Sequence, residues 1–202
     1  SRQRRGNGET RMLQQALNFQ ESHNQNHACS AMIGDANWLF NDYNRGNNDD
    51  HCESGMVDLF RLPKFVYYFY QSQRDLQEES DKFASGPMVF AATWWNEMSP
   101  LDIRIFSNCD EVELFLNGRS WGRQKPDSNM FTTHLNHPPF TFKLGNFDAG
   151  TLKAVGYVNG EGKAEHVVKS PGKPARIELV ADYSGKTLKA DGADAVFIYA
   201  RV

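Results

Sequence analysis

The stretch from Ser107 to Gly122 constrains the fold of this chain more than any other. Its first half alternates apolar and acidic positions, which are Val112, Leu114 and Leu116 against Glu111 and Glu113. Strand side chains point to opposite faces with a period of two, so the pattern predicts a half-buried strand. Asn117-Gly118 follows at once, and this pair favours a type I′ turn. The stretch therefore predicts a β-hairpin.

Short strand candidates recur on both sides of this hairpin and are separated by glycine, proline and asparagine. They are Val89–Trp95, Leu101–Phe106, Glu111–Leu116, Phe140–Leu144, Thr151–Val158 and Ala164–Val168. Regularly spaced short strands predict an antiparallel sandwich of immunoglobulin type. Pro171-Gly172-Lys173-Pro174 marks a boundary. Beyond it, Arg176–Val180 and Ala195–Val202 predict the start of a further unit.

The first part of the chain has a different pattern, in which helix, strand, polar loop and helix alternate. The segments are a helix over Glu9–His23, a buried parallel strand within Cys29–Phe40, a loop over Asn41–Glu53, a helix starting at Leu62-Pro63 and running through Phe65–Tyr70, and a linker over Asp75–Gly86. Apolar spacing supports the first helix, and the all-aromatic second helix needs burial on most sides. This alternation is typical of a βα-barrel.

Composition and charge exclude several classes of protein. The chain has 202 residues, 40% of them hydrophobic, and a formal net charge of −3, which gives no reason to expect a nucleic acid or an anionic membrane as partner. No segment is apolar enough to predict a membrane span. The three cysteines, Cys29, Cys52 and Cys109, match no zinc or disulfide spacing, so we expect free thiols.

Four segments, in order, resemble glycoside hydrolase family 2, which contains β-galactosidases, β-glucuronidases and β-mannosidases. The hairpin at Ser107–Gly122 resembles the family's β-sandwich. WLFNDY at Trp38–Tyr43 resembles its last barrel strand, SGMVDLFRLPK at Ser54–Lys64 the approach to its final barrel helix, and AGTLKAVGY at Ala149–Tyr157 its penultimate sandwich strand.

The resemblance implies a mixed fold in three parts. Residues 1–83 would be the last strand and helix units of a (β/α)8 barrel, 84–170 an immunoglobulin-like antiparallel β-sandwich, and 171–202 the incomplete start of a second sandwich. Both ends look like internal cuts, so we expect further chain on either side. The remainder of the barrel is then a partner, and the resemblance suggests a periplasmic or extracellular location.

The resemblance also implies a retaining glycosidase that acts on β-galactosides or related β-linked sugars of polysaccharides. Retention needs two carboxylates about 5 to 5.5 Å apart. Both family glutamates precede the last barrel strand, so we expect no catalytic residue here and no activity from this chain alone. Asn96-Glu97 imitates the family's acid/base motif, but its sandwich setting is wrong, because barrel active sites lie at the carboxyl ends of barrel strands.

Family position makes Trp38 the best candidate for substrate binding, because an indole face can stack on a pyranose. Asp42, Tyr43, Asn44 and Arg45 follow on the loop that would rim the pocket. Asp42 is a potential acceptor for sugar hydroxyls, and Arg45 a potential ligand for a carboxylate or sulfate substituent. For each of these two, a solvated loop position or a local ion pair is an equal alternative.

Other kinds of site have weaker support. The acidic loop Asp49–Glu53 groups possible metal ligands but has no regular zinc spacing, so we expect no metal, and nothing predicts a cofactor. No serine, cysteine and histidine arrangement suggests a nucleophilic triad. The alternative to an enzyme fragment is a non-catalytic carbohydrate-binding or interaction module, with Trp94, Trp95 and Trp121 as its candidate aromatic surface.

Overall fold

A computed structural model describes residues 3–46, 51–77 and 85–202. The chain divides into two compact units, residues 1–170 and 171–202. Within the described residues, the first unit contains two α-helices, a short strand pair and seven sandwich strands, and the second contains a single strand pair.

Two helices form in the first part of the chain. A 3₁₀ turn over Arg5–Asn7 precedes helix α1, Glu9–Ala28, and helix α2 spans Phe65–Ser72. Both predicted helices are confirmed, although α2 begins two residues after Pro63. This largely aromatic helix is buried mainly on one face, through Phe65, Val66 and Phe69, while its tyrosines are half-buried.

The prediction of a buried strand within Cys29–Phe40 is wrong. Nearly all of these residues are exposed, and none belongs to a strand. A parallel strand needs neighbours that accept and donate its backbone hydrogen bonds. In the described residues, this part of the chain meets such a neighbour only at an isolated parallel bridge between Asn41 and Val57. Two very short strands follow, β1 at Tyr43–Asn44 and β2 at His51–Cys52, which pair antiparallel.

Seven antiparallel strands form a two-sheet sandwich. They are β3 Val89–Ala91, β4 Asp102–Ser107, β5 Glu111–Leu116, β6 Arg119–Gln124, β7 Phe140–Lys143, β8 Thr151–Val158 and β9 Glu161–Lys169. One sheet has the order β3-β4-β7 and the other β6-β5-β8-β9. The main core lies between them, where Ile105 and Phe140 of one sheet and Leu114 and Leu152 of the other belong to one buried cluster. All six strand candidates of this region form strands.

The predicted hairpin is the connection between β5 and β6. Asn117 and Gly118 have φ values of 52° and 81°, which a type I′ turn requires at both central positions. Burial alternates along β5, where Val112, Leu114 and Leu116 are buried. The side chain of Asn117 also joins the turn to β8, because its Oδ1 accepts the Thr151 N–H at 2.9 Å.

The helices pack on the three-stranded sheet and form one unit with it. A second buried cluster combines Met12, Phe69 and other helix residues with Ala92 and Phe106 of the sandwich. Polar contacts add to it, since Gln20 and Asn24 of α1 donate to the carbonyls of Phe131 and Met130. The predicted boundary at residue 83 lies outside the described residues, as does much of the predicted linker.

The second unit consists of β10, Glu178–Asp182, and β11, Phe197–Arg201, which pair antiparallel over five residues each. β11 falls within the predicted segment Ala195–Val202, whereas β10 overlaps Arg176–Val180 and extends two residues beyond it. Ile177, Leu179, Phe197 and Ile198 are exposed. No helix in residues 3–46, 51–77 and 85–202 combines the length and the apolar character that a membrane crossing needs.

Candidate functional site

Trp38 lies on an extended segment with 72% of its side chain exposed. The segment is tethered to residues 56 and 57, because Leu39 and Phe40 accept the N–H groups of Met56 and Val57 at 3.2 and 3.0 Å. The indole is therefore held by its backbone but is open to solvent. An exposed indole face of this kind can stack on a sugar ring.

Asp42 is buried, with 5% exposure, and its Oδ1 accepts two hydrogen bonds. They come from Lys64 Nζ at 2.8 Å and from the Gly55 N–H at 2.8 Å. Lys64 is fully buried and also donates to the Glu53 carbonyl at 3.1 Å. Of the two alternatives that the sequence left open, the structure contains the local ion pair.

The electrostatics of this pair follow from burial. Burial raises the pKa of Asp42 and lowers the pKa of Lys64, while the hydrogen bond and attraction between them oppose both shifts. A buried pair of this kind contributes little net stability, but removing either partner leaves an uncompensated charge. Gly55 is required for this packing, since a Cβ at that position would lie 2.3 Å from the Asp42 nitrogen.

Tyr43 and Asn44 form β1, and Arg45 follows directly after it. Asn44 pairs with His51, and its side chain accepts the Gly46 N–H at 3.1 Å. Burial raises the pKa of the Cys52 thiol, but hydrogen bonds from Ser54, Arg45 and Tyr43 outweigh it and hold that pKa below its ordinary value. Arg45 therefore contacts Cys52 of the neighbouring strand β2.

Of the acidic loop Asp49–Glu53, for which we expected no metal, Asp49 and Asp50 lie outside the described residues. The others face different partners, and the described ranges contain no group of three metal-ligating side chains. The cysteines are free thiols, with Cys29 exposed and Cys52 and Cys109 buried.

A cavity of ≈ 150 Å³ opens beside Asp42. Its walls come from the segment before α1 and from the loop between β2 and α2, and the lining residues are Arg4, Arg5, Gly6, Asp42, His51, Glu53, Asp58, Leu59 and Phe60. Sequence reasoning missed the two arginines. The adjacent pair of cations directly before the first helix was the sequence signal that could have indicated a polar site.

Glu97 lies in an exposed turn of the sandwich, between β3 and β4. The neighbouring Trp95 is fully buried, and its indole N–H donates to the Asp148 carbonyl at 3.1 Å. Trp95 therefore has no face to offer a ligand. Trp94 and Trp121 are 37% and 39% exposed, so only two of the three candidate aromatics for a sugar-binding surface are accessible.

Comparison with known proteins gives consistent matches. Residues 99–164 match a family described as a domain of unknown function, DUF4982. A β-galactosidase of Thermoanaerobacter pseudethanolicus is 34% identical over 81% of this chain and 23% of its own length. The β-galactosidase BoGH2A of Bacteroides ovatus is 36% identical over 73% of this chain and 16% of its own. A β-glucuronidase of Formosa agariphila is 26% identical over 82% of this chain and 16% of its own.

Solved structures give the same result for the fold. A glycosyl hydrolase family 2 member of Bacteroides cellulosilyticus aligns over 92% of this chain and 25% of its own, with a TM-score of 0.59 and 25% identity. A family 2 β-glucuronidase aligns over 94% of this chain and 19% of its own, with a TM-score of 0.72 and 23% identity.

The curated relatives and the solved structures named above are all glycosidases. The chain belongs to glycoside hydrolase family 2 and spans about a quarter or less of the length of the relatives it matches.

Proposed function

We propose that this chain is part of a retaining glycoside hydrolase that acts on β-galactosides or related β-linked sugars of polysaccharides. The observation that carries the proposal is the 34% identity to a β-galactosidase over 81% of the chain. Matches to a second β-galactosidase and to a β-glucuronidase support the same reaction class.

Within the whole protein, residues 1–83 would complete a (β/α)8 barrel, 84–170 would form the immunoglobulin-like sandwich and 171–202 would begin another. Two features support the barrel. The bridge between Asn41 and Val57 is parallel, as barrel pairing is. The segment before it also exposes large apolar side chains, which are Met32, Ile33 and Phe40. The rest of a barrel would cover such surfaces.

Trp38 would form part of the sugar-binding floor, with Asp42, Tyr43, Asn44 and Arg45 on the adjacent rim. The exposure of the indole supports this role. Asp42 would contribute chiefly by fixing the segment that carries Trp38, because Lys64 and Gly55 already occupy its Oδ1.

The catalytic carboxylates would lie upstream, so the chain alone would hydrolyse nothing. The exposed turn around Glu97 supports this, because it is part of the sandwich. The test compares the full-length protein with residues 1–202 on chromogenic β-galactosides. Turnover by the full-length protein alone is expected. Turnover by residues 1–202 that disappears in Glu97→Gln would overturn the assignment.

The alternative of a carbohydrate-binding module without catalysis has less support, because Trp95 is sealed in the core. Binding of oligosaccharides by residues 1–202, lost in Trp94→Ala or Trp121→Ala while the full-length protein shows no turnover, would favour it.

A further inference from the structure

The cavity beside Asp42 has the mixed character of a ligand site. Phe60 and Leu59 supply an apolar wall, and Phe60 is 58% exposed. Charged side chains converge on the other walls. Small-molecule sites commonly combine apolar lining with a few polar groups that fix orientation.

The cations at this cavity already have carboxylate partners. Arg4 Nε donates to Glu53 Oε1, and Arg5 Nε lies 3.7 Å from Asp58 Oδ2. Lys64, directly behind Asp42, is paired with it at 2.8 Å. A ligand carboxylate would therefore have to displace a protein carboxylate, and it would meet the negative charge of Glu53 and Asp58.

A neutral sugar meets no such obstacle, since each hydroxyl both donates and accepts hydrogen bonds. Carboxylates accept from it and guanidinium groups donate to it, while Phe60 offers an apolar face. The relatives include an enzyme named for galactosides, which are neutral, and one named for glucuronides, which are anionic. Cations already paired with protein carboxylates would favour the neutral class over the anionic one.

We propose that this cavity is a subsite for an uncharged sugar unit, and that Glu53 and Asp58 select against uronic acids by neutralising Arg4 and Arg5. The inference rests on the proposed glycosidase function and adds to it a substrate class and two specificity-determining residues.

The two carboxylates allow nearly isosteric tests. Asp58 Oδ1 accepts the N–H groups of Phe60 and Leu62 at 2.8 and 2.9 Å. Asp58→Asn can keep those bonds and removes only the charge. Glu53→Gln likewise leaves the Glu53 carbonyl bonded to Lys64. Each change removes the carboxylate charge beside a guanidinium, although Arg5 keeps its hydrogen bond to the Pro63 carbonyl.

The experiment measures kcat/KM of the full-length protein for p-nitrophenyl β-galactoside and p-nitrophenyl β-glucuronide. The wild type should prefer the galactoside. Each variant should raise the glucuronide-to-galactoside ratio about tenfold, the size of one charge-assisted hydrogen bond.

Two controls make the result specific to the cavity. Adding Arg4→Met to Glu53→Gln should return the ratio to its wild-type value, because the freed guanidinium is gone. Glu111→Gln removes a carboxylate that lies 3.6 Å from Arg123 on the sandwich and should leave the ratio unchanged.

The possible outcomes separate the two proposals. If the wild type hydrolyses neither glycoside, nor any other β-linked sugar, the proposed function fails. If it hydrolyses the galactoside but the variants shift the ratio by less than about twofold, the subsite is refuted and the function stands. A wild type that prefers the glucuronide also overturns the subsite.

Discussion

Lys64 Nζ lies 2.8 Å from Asp42 Oδ1, with the lysine fully buried. The pair joins the start of α2 to the segment that follows Trp38, and the Gly55 N–H and the Glu53 carbonyl complete the network. The charged groups thus link two chain segments that lie outside regular helices and strands.

We therefore expect Lys64→Met to destabilise the first unit strongly, by about 3–5 kcal/mol, because Asp42 keeps a buried charge without its partner. The measurement is urea denaturation of residues 1–202. Lys163→Met, which removes the exposed partner of Glu161, is the matched control and should change stability within error. A small loss in Lys64→Met, equal to the control, would contradict the prediction.

His166 connects the two sheets of the sandwich. Its Nδ1 accepts the Ala91 N–H at 3.1 Å, so this nitrogen carries no proton in the folded chain. Burial lowers the pKa of His166. The unfolded chain then takes up a proton at higher pH than the folded chain does. The stability contributed by the neutral ring is complete above the ordinary histidine pKa of about 6.5 and is lost as the pH falls below it.

Unfolding free energies of the wild type and of His166→Gln, compared between pH 8 and pH 5, test this. The wild type should lose more stability than the variant on acidification. His134→Gln is the control, since the described residues contain no hydrogen bond to that ring, and it should follow the wild type. Parallel pH profiles for the wild type and His166→Gln would refute the prediction.

Asn117 should stabilise the sandwich through its side chain as well as its backbone conformation. Its Nδ2 donates to Asp148 Oδ2 and to the Ala149 carbonyl, each at 3.1 Å, and its Oδ1 accepts from Thr151. Asn159 has the same φ of 52°, but its side chain forms no hydrogen bond within the described residues. Asn117→Ala should therefore cost about 1–3 kcal/mol more than Asn159→Ala in denaturation. Equal losses would assign the whole effect to the turn backbone.

Local chemistry explains which parts of the fold the sequence predicted. The hairpin depended on alternation and on Asn117-Gly118, and every predicted sandwich strand finds its partners within the described chain. The prediction of a strand within Cys29–Phe40 was wrong because the described chain offers this apolar run almost no neighbouring strand with which to pair.

The candidate site was predicted less completely than the sandwich. Trp38 was proposed from family position and its role in binding stays a prediction, whereas the Asp42 ion pair was one of two open alternatives. The cavity was missed, because Arg4 and Glu53 are far apart in sequence and nothing local indicates that they meet. Pairing over such a separation depends on tertiary packing, which periodicity does not encode.

Trp38 supports the last prediction, which concerns the intact enzyme. Its indole is 72% exposed, while the next two residues accept backbone hydrogen bonds from Met56 and Val57, so truncation should remove a binding surface without opening a core. Trp38→Ala in the full-length protein should lower kcat/KM by an amount equivalent to about 3 kcal/mol if the ring stacks fully on the sugar. The unfolding free energy of residues 1–202 carrying the same change should stay close to that of the wild type, because an exposed side chain contributes little to the core. Near wild-type kinetics would remove Trp38 from the sugar-binding floor, and a large loss of stability would instead assign the ring a structural role.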